Sequence, residues 1–160
     1  MFLSLKRAPV TAMLLVIITF VFGIEWLNGA LRNDQTLVDM GAIIPHMMQE
    51  GQYWRAVAAM FLHAGVLHWA ANSWALFQLG ALYEVMFGST RFAVTYFVTG
   101  IIASIASSLV AQGPAVGASG AILGILGAFF FSIKRSPIWR NDRMARSLLP
   151  QLVFWAGLNI

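Results

Sequence analysis

Gly117-Ala118-Ser119-Gly120, running directly into Ala121-Ile122-Leu123-Gly124-Ile125-Leu126-Gly127-Ala128-Phe129-Phe130-Phe131, is the stretch whose reading decides the fold. Gly120, Gly124 and Gly127, with Ala121 and Ala128, form a small-residue face of the kind that lets helices approach closely inside a bilayer. No charge interrupts the run before Lys134. A helix over 119–133, rising 1.5 Å per residue, is roughly 22 Å long, short of a hydrocarbon core of about 30 Å. Its amino end is therefore expected below the outer surface, and a serine there has two readings: a packing residue or a recessed nucleophile.

Composition sets the solvent. Of the 160 residues 59% are hydrophobic and 10% charged, and the mean hydropathy is +0.76. A soluble domain carries about 25% charged residues, so one all-α, polytopic membrane domain is expected. With no cysteine in the chain, disulfides, thiolate catalysis and cysteine-ligated zinc are excluded. The net charge of +4 reflects where the basic residues sit and implies no nucleic-acid partner.

A span of about 20 residues divides the chain into apolar stretches at 10–27, 66–87, 92–110, 119–133 and 147–160, the last incomplete. The first follows Lys6 and Arg7 and is interrupted only by Glu25; Asn28-Gly29-Ala30 is a poor cleavage site, so a retained span is expected rather than a signal peptide. The region 28–65 reads as a partly folded outer loop, with Tyr53 and Trp54 suited to the headgroup layer. Gly88-Ser89-Thr90-Arg91 is expected to form a tight turn. The loop 134–146 carries Lys134, Arg135, Arg140, Arg143 and Arg146, five of the ten basic residues. If segment 1–9 is cytoplasmic, these five fall inside with Lys6, Arg7 and Arg91, and only Arg32 and Arg55 fall outside, as the positive-inside bias requires. Ser119 then starts a helix that runs inward from the outer side.

His63, His68 and Asn72 cluster at the outer end of the second stretch, level with Ser119. His68 and Asn72, four apart, share one helical face and are expected either to bond between helices or to line a hollow shared with Ser119. His63 and His68 are five apart, rotated by roughly 140° on a helix, and the glutamate of an H-E-x-x-H motif is missing. No metal or other cofactor is expected. His46, beside Pro45, reads as interfacial, and Ser104, Ser107 and Ser108 as packing residues.

Taken together, these residues resemble a rhomboid intramembrane serine protease from about Leu37 to the carboxyl end. Trp54-Arg55 is similar to that family's W-R signature. His63-Ala-Gly-Val-Leu-His68-Trp-Ala-Ala-Asn72 resembles its H-x4-H-x3-N element, with Gly80 and Glu84 further along. Gly117-Ala118-Ser119-Gly120 matches its G-x-S-G element. The resemblance implies a six-span helical bundle, about five spans of it present here, in a bacterial cell membrane with transmembrane proteins as substrates. It implies Ser119 as nucleophile, and His68, Asn72 and the Ser119 backbone N–H as the oxyanion hole. His63, Gly117, Gly120, Trp54, Arg55 and Glu84 are cavity or structural positions.

One departure stands out. The family draws its general base from a histidine on the sixth span, and none of His46, His63 or His68 matches it. A serine without its base is a weak nucleophile, and loss of the base costs on the order of 10⁶ in turnover. These 160 residues alone are therefore expected to be inactive, a truncated piece of a longer enzyme. The alternative is a rhomboid-like pseudoprotease that binds transmembrane segments without cutting, although an intact G-x-S-G has no purpose in a pure binder. A small transporter would show mid-span ionisable pairs or an internal repeat, and neither is found.

Overall fold

Pro9 stands at the first position of the first long helix, α1 (Pro9–Leu27), where its missing N–H is no loss and its fixed φ suits the helix. The computed structural model describes residues 5–135, all of them helix, turn or loop with no strand assigned among the described residues. The expected fifth stretch at 147–160 and most of the basic loop lie outside the described residues. Among the described residues two helices are long and apolar enough to cross a membrane: α1 and α7 (Ser89–Val110). The helix carrying the serine, α8 (Ser119–Arg135), ends its described part on Lys134 and Arg135, which lie over the rings of Phe130 and Phe131. Cations at a helix carboxyl end suit its dipole.

The stretch 66–87 is one helical rod in three parts: α5 (Val66–Ala75), a π turn (Leu76–Gly80) and α6 (Ala81–Phe87). The expected four-residue turn after it shrinks to Gly88. Its φ of 88° reverses the chain at once, and Ser89 already opens α7 with its hydroxyl donating to Glu84 at 2.6 Å. Glu84 thereby joins three helices. Its carboxylate also accepts the Val10 and Thr11 N–H groups at 2.9 and 2.8 Å and the Thr11 hydroxyl at 2.8 Å. Two of these donors belong to the first turn of α1, whose N–H groups have no partner within the helix.

The core lies between these elements. Leu14 and Ile18 of α1, Leu76 and Leu79 of the π turn, Phe92 and Tyr96 of α7, and Ile122, Ile125 and Phe129 of α8 form one buried cluster. α7 and α8 make the most extensive helix pair of the fold. Gly124 faces the Thr99 side chain and Gly120 the Ala103 methyl, each with no room for a β-carbon.

The region between α1 and α5 folds into short helices, α2 (Asp34–Met40), α3 (Pro45–Gln49) and α4 (Arg55–Ala58), then a 3₁₀ turn, Ala59–Phe61. Asn33 caps α2 by accepting the Gln35 N–H, and Gly41 ends it at φ 114° with the Trp54 ring against its α-carbon. Arg55 is buried and organises the region. Its Nη1 donates to the Val38 and Ala42 carbonyls at 2.6 and 3.0 Å, its Nε to Gln52 Oε1 at 2.8 Å, and its guanidinium lies 4.8 Å from the centre of the Trp54 ring. The guanidinium adds a second donor to the Val38 carbonyl, which also accepts the Gly41 N–H, and ties it to the Ala42 carbonyl just beyond α2. Tyr53 and Trp54 remain exposed.

Candidate active site

The segment before α8, residues 112–117, has no helical hydrogen bonds of its own to satisfy it, and inside a membrane such backbone persists only where protein or trapped water supplies partners. Here the region between α1 and α5 supplies them. Ile43 and Ala115 exchange N–H and carbonyl at 2.9 and 3.0 Å as an isolated antiparallel bridge, and the Gly117 N–H donates to the Ala59 carbonyl at 2.8 Å. Gly117 adopts φ 125°, a conformation open to glycine and strained for other residues. The chain then turns into α8 at Ser119.

Ser119 is the first residue of α8, so its N–H is among the groups without an intrahelical acceptor, at the positive end of the dipole. Its side chain is half-buried and makes no hydrogen bond to any described histidine. A cavity of about 260 Å³ opens beside it, lined by Ser119, Gly120 and Leu123 of α8, Ala115–Gly117, Ala59, and Gly100, Ala103, Ser104 and Ser107 of α7. Small side chains make the room, and the hydroxyls lend it polarity.

His68 approaches from α5. Its Nε2 lies against Gly117, 2.7 Å from where a β-carbon on that glycine would stand, and Ser119 Oγ lies 3.7 Å from the same point. Asn72, one turn further along α5, is fully buried. Its Nδ2 donates to the His68 carbonyl at 3.0 Å and its Oδ1 has no partner. Oxygen and nitrogen of such an amide are told apart only by their neighbours.

The His63 ring stands edge-on to that of His68, centroids 5.1 Å apart, fully buried with neither nitrogen partnered. Burial, with His68 adding to it, pushes the His63 imidazole down to about 4, so it is neutral at pH 7.

The structure thus brings Ser119, Gly117 and His68 together at the head of α8, with Gly120 beside Ser119 and with His63 and Asn72 joined through His68. His68 and Asn72 do not line the cavity that Ser119 lines. Trp54 and Arg55 lie in the region between α1 and α5 and Glu84 sits at the α1–α6–α7 junction, so these three take part in the frame rather than the site. Among the described residues no cluster of three or more His, Asp and Glu side chains is arranged to hold a metal. Three positions escape a sequence reading. Ser104 and Ser107 line the cavity, although nothing separates them from packing serines by spacing alone. Glu25, seen only as an interruption of a span, is fully buried and accepts the His63 N–H at 2.8 Å.

Comparison with known proteins identifies the family. The family model that matches is the Rhomboid domain, over residues 50–160. The chain is 42% identical over 105 residues to the Rhomboid protease GluP of Bacillus subtilis (strain 168), covering 66% of this chain and 21% of that protein. It is 40% identical over 96 residues to RHOMBOID-like protein 5 of Arabidopsis thaliana, covering 58% of this chain and 31% of that one. It is 38% identical over 130 residues to RHOMBOID-like protein 6, mitochondrial, of the same plant, covering 80% and 42%. The chain therefore spans between a fifth and about two fifths of the length of these relatives. No solved structure gives a significant match. With the family model covering well over half its length, this chain belongs to the rhomboid family of integral membrane proteins.

Proposed function

We propose that the chain forms the nucleophile-bearing part of an intramembrane serine endopeptidase that cleaves transmembrane proteins. Ser119 Oγ attacks the scissile carbonyl carbon, forming the Oγ–C bond while its proton passes to a general base. The tetrahedral oxyanion is held by the Ser119 N–H, His68 and Asn72. Collapse breaks the C–N bond, the leaving amine takes the proton, and water hydrolyses the acyl-enzyme.

The single observation that carries this reading is the meeting of Ser119 Oγ and His68 Nε2 around Gly117, at the amino end of α8 where N–H groups are unpaired. Donors fixed before the charge develops stabilise a transition state at no further cost in reorganisation. The cavity of about 260 Å³ gives a substrate side chain or a water access to the same hydroxyl. None of the three imidazoles bonds to Ser119 Oγ, and this reading takes the base to be a group other than His46, His63 or His68, none of which stands at the matching motif position. Five spans, an inward-running α8 and a cytoplasmic amino terminus belong to this same proposal.

That missing bond also favours one second reading, a rhomboid-like binder that retains transmembrane segments without cutting. Co-expression with a tagged transmembrane reporter in membranes separates the two. A protease yields a cleaved fragment that Ser119→Ala abolishes while the intact reporter accumulates. A binder leaves the reporter whole, and Ser119→Ala changes nothing.

A further inference from the structure

α1 carries one ionisable side chain, Glu25, and it is fully buried. Burying a carboxylate is costly unless it is paired or well hydrogen-bonded. Among the described residues no cation pairs with it. Its one protein partner is a backbone group 38 positions away, the His63 N–H, which donates to Oε1 at 2.8 Å, while Oε2 is buried without a partner. Residues 62–65 are non-helical, so this N–H has no helical acceptor to fall back on.

The place of that contact gives it meaning. Phe22, one turn before Glu25, stacks on Trp69 of α5 with ring centres 5.0 Å apart and planes 6° from parallel, which holds α1 against the start of the rod. From Glu25 the contacts run to the His63 backbone, from the His63 ring to the His68 ring at 5.1 Å, and from His68 Nε2 to Gly117, with Ser119 Oγ on the same side of that glycine. Neither His63 ring nitrogen has a partner among the described residues, so the ring is held there by its backbone and its packing.

We propose that Glu25 is a positioning residue of the site: its carboxylate clamps residues 62–65, and the His63 ring thereby holds the His68 imidazole against Gly117 and Ser119. This rests on reading Ser119 and His68 as nucleophile and oxyanion donor. Glu25 touches neither substrate nor the reacting atoms. It acts through the placement of His68, so a loss should appear in turnover while substrate binding is kept.

The test uses the full-length protein that carries this chain, with two readouts. The first is the imidazole ¹⁵N spectrum of His63 and His68 in detergent. The second is kcat and KM on a transmembrane substrate, with Ser119→Ala as the control for the underlying reading. Glu25→Leu is expected to shift the His68 signals and lower kcat by about 10- to 100-fold with KM unchanged, the scale of a misplacement near 1 Å. Glu25→Gln keeps an acceptor oxygen for the His63 N–H and should restore both. If Glu25→Leu does not fold, Glu25→Asp, one methylene short, is read the same way. Loss of thermal stability with unchanged His68 signals and unchanged kcat would overturn the proposal. If the wild-type protein cleaves nothing, or Ser119→Ala still cleaves, the protease reading has failed, and the His68 spectrum alone decides the role of Glu25.

Discussion

His68 Nε2 lies against the α-carbon of Gly117, near enough that a β-carbon on the glycine would stand 2.7 Å from the ring nitrogen. The close fit depends on glycine twice, because Gly117 also holds φ 125°. Gly117→Ala should therefore strain the backbone by about 1–2 kcal/mol and push the imidazole away from Ser119. Cleavage should fall at least as far as it does on loss of one oxyanion donor, about 10²–10³-fold. Melting temperature and reporter cleavage, measured together, check it; unimpaired cleavage would mean that His68 has no part in the site.

Two glycines on the α7–α8 seam should differ in cost. A β-carbon on Gly124 meets the branched Thr99 side chain close to its backbone, whereas one on Gly100 meets chiefly the flexible thioether end of Met60. Gly124→Ala is expected to cost about 1–3 kcal/mol by overpacking, and Gly100→Ala clearly less because Met60 can change rotamer. Unfolding of both variants in mixed micelles ranks them.

Arg55 donates to two carbonyls and a glutamine from a buried position. Arg55→Ala removes three charge-assisted hydrogen bonds, the Val38 carbonyl keeping only the Gly41 N–H, and should destabilise by about 1.5–3 kcal/mol. Arg55→Lys should not rescue it, since a single ammonium cannot reproduce the planar fork. Because Ile43 and Ala59 tether the segment before Ser119, protease protection of residues 111–118 is expected to drop in both variants.

Glu84 accepts four hydrogen bonds from α1 and α7. Glu84→Gln replaces one acceptor oxygen with a donor facing donors, and a loss of about 1–3 kcal/mol is expected. Thr11→Val removes one donor and should cost less. Equal stability of wild type and Glu84→Gln would contradict this joint.

Much of the helical layout is legible in the sequence because apolar length and breakers are local signals. Pro9, Gly88 and the Gly117–Gly120 run sit where helices start or the chain turns. The approach of His68 to Ser119 is legible only through motif spacing, since the two residues belong to helices that meet by tertiary packing. The π turn at Leu76–Gly80 leaves no trace in composition, because it differs from an α-helix only in hydrogen-bond register. The Ile43–Ala115 bridge and the Glu25–His63 bond join residues far apart in the chain, and no local pattern announces either. The short helices α2 to α4 fall below the length at which periodicity speaks, and only Asn33 and Gly41 at α2 and Pro45 at the start of α3 mark them.

The most direct measurement of the central claim is the mapping of a fluorophosphonate adduct by mass spectrometry in membranes holding the full-length protein. The adduct is expected on Ser119, absent in Ser119→Ala, and formed about 10²–10³-fold more slowly in Asn72→Ala, as for loss of one oxyanion donor. An adduct on another serine such as Ser104 or Ser107, or labelling and reporter cleavage that persist in Ser119→Ala, would contradict the assignment of Ser119 as the nucleophile.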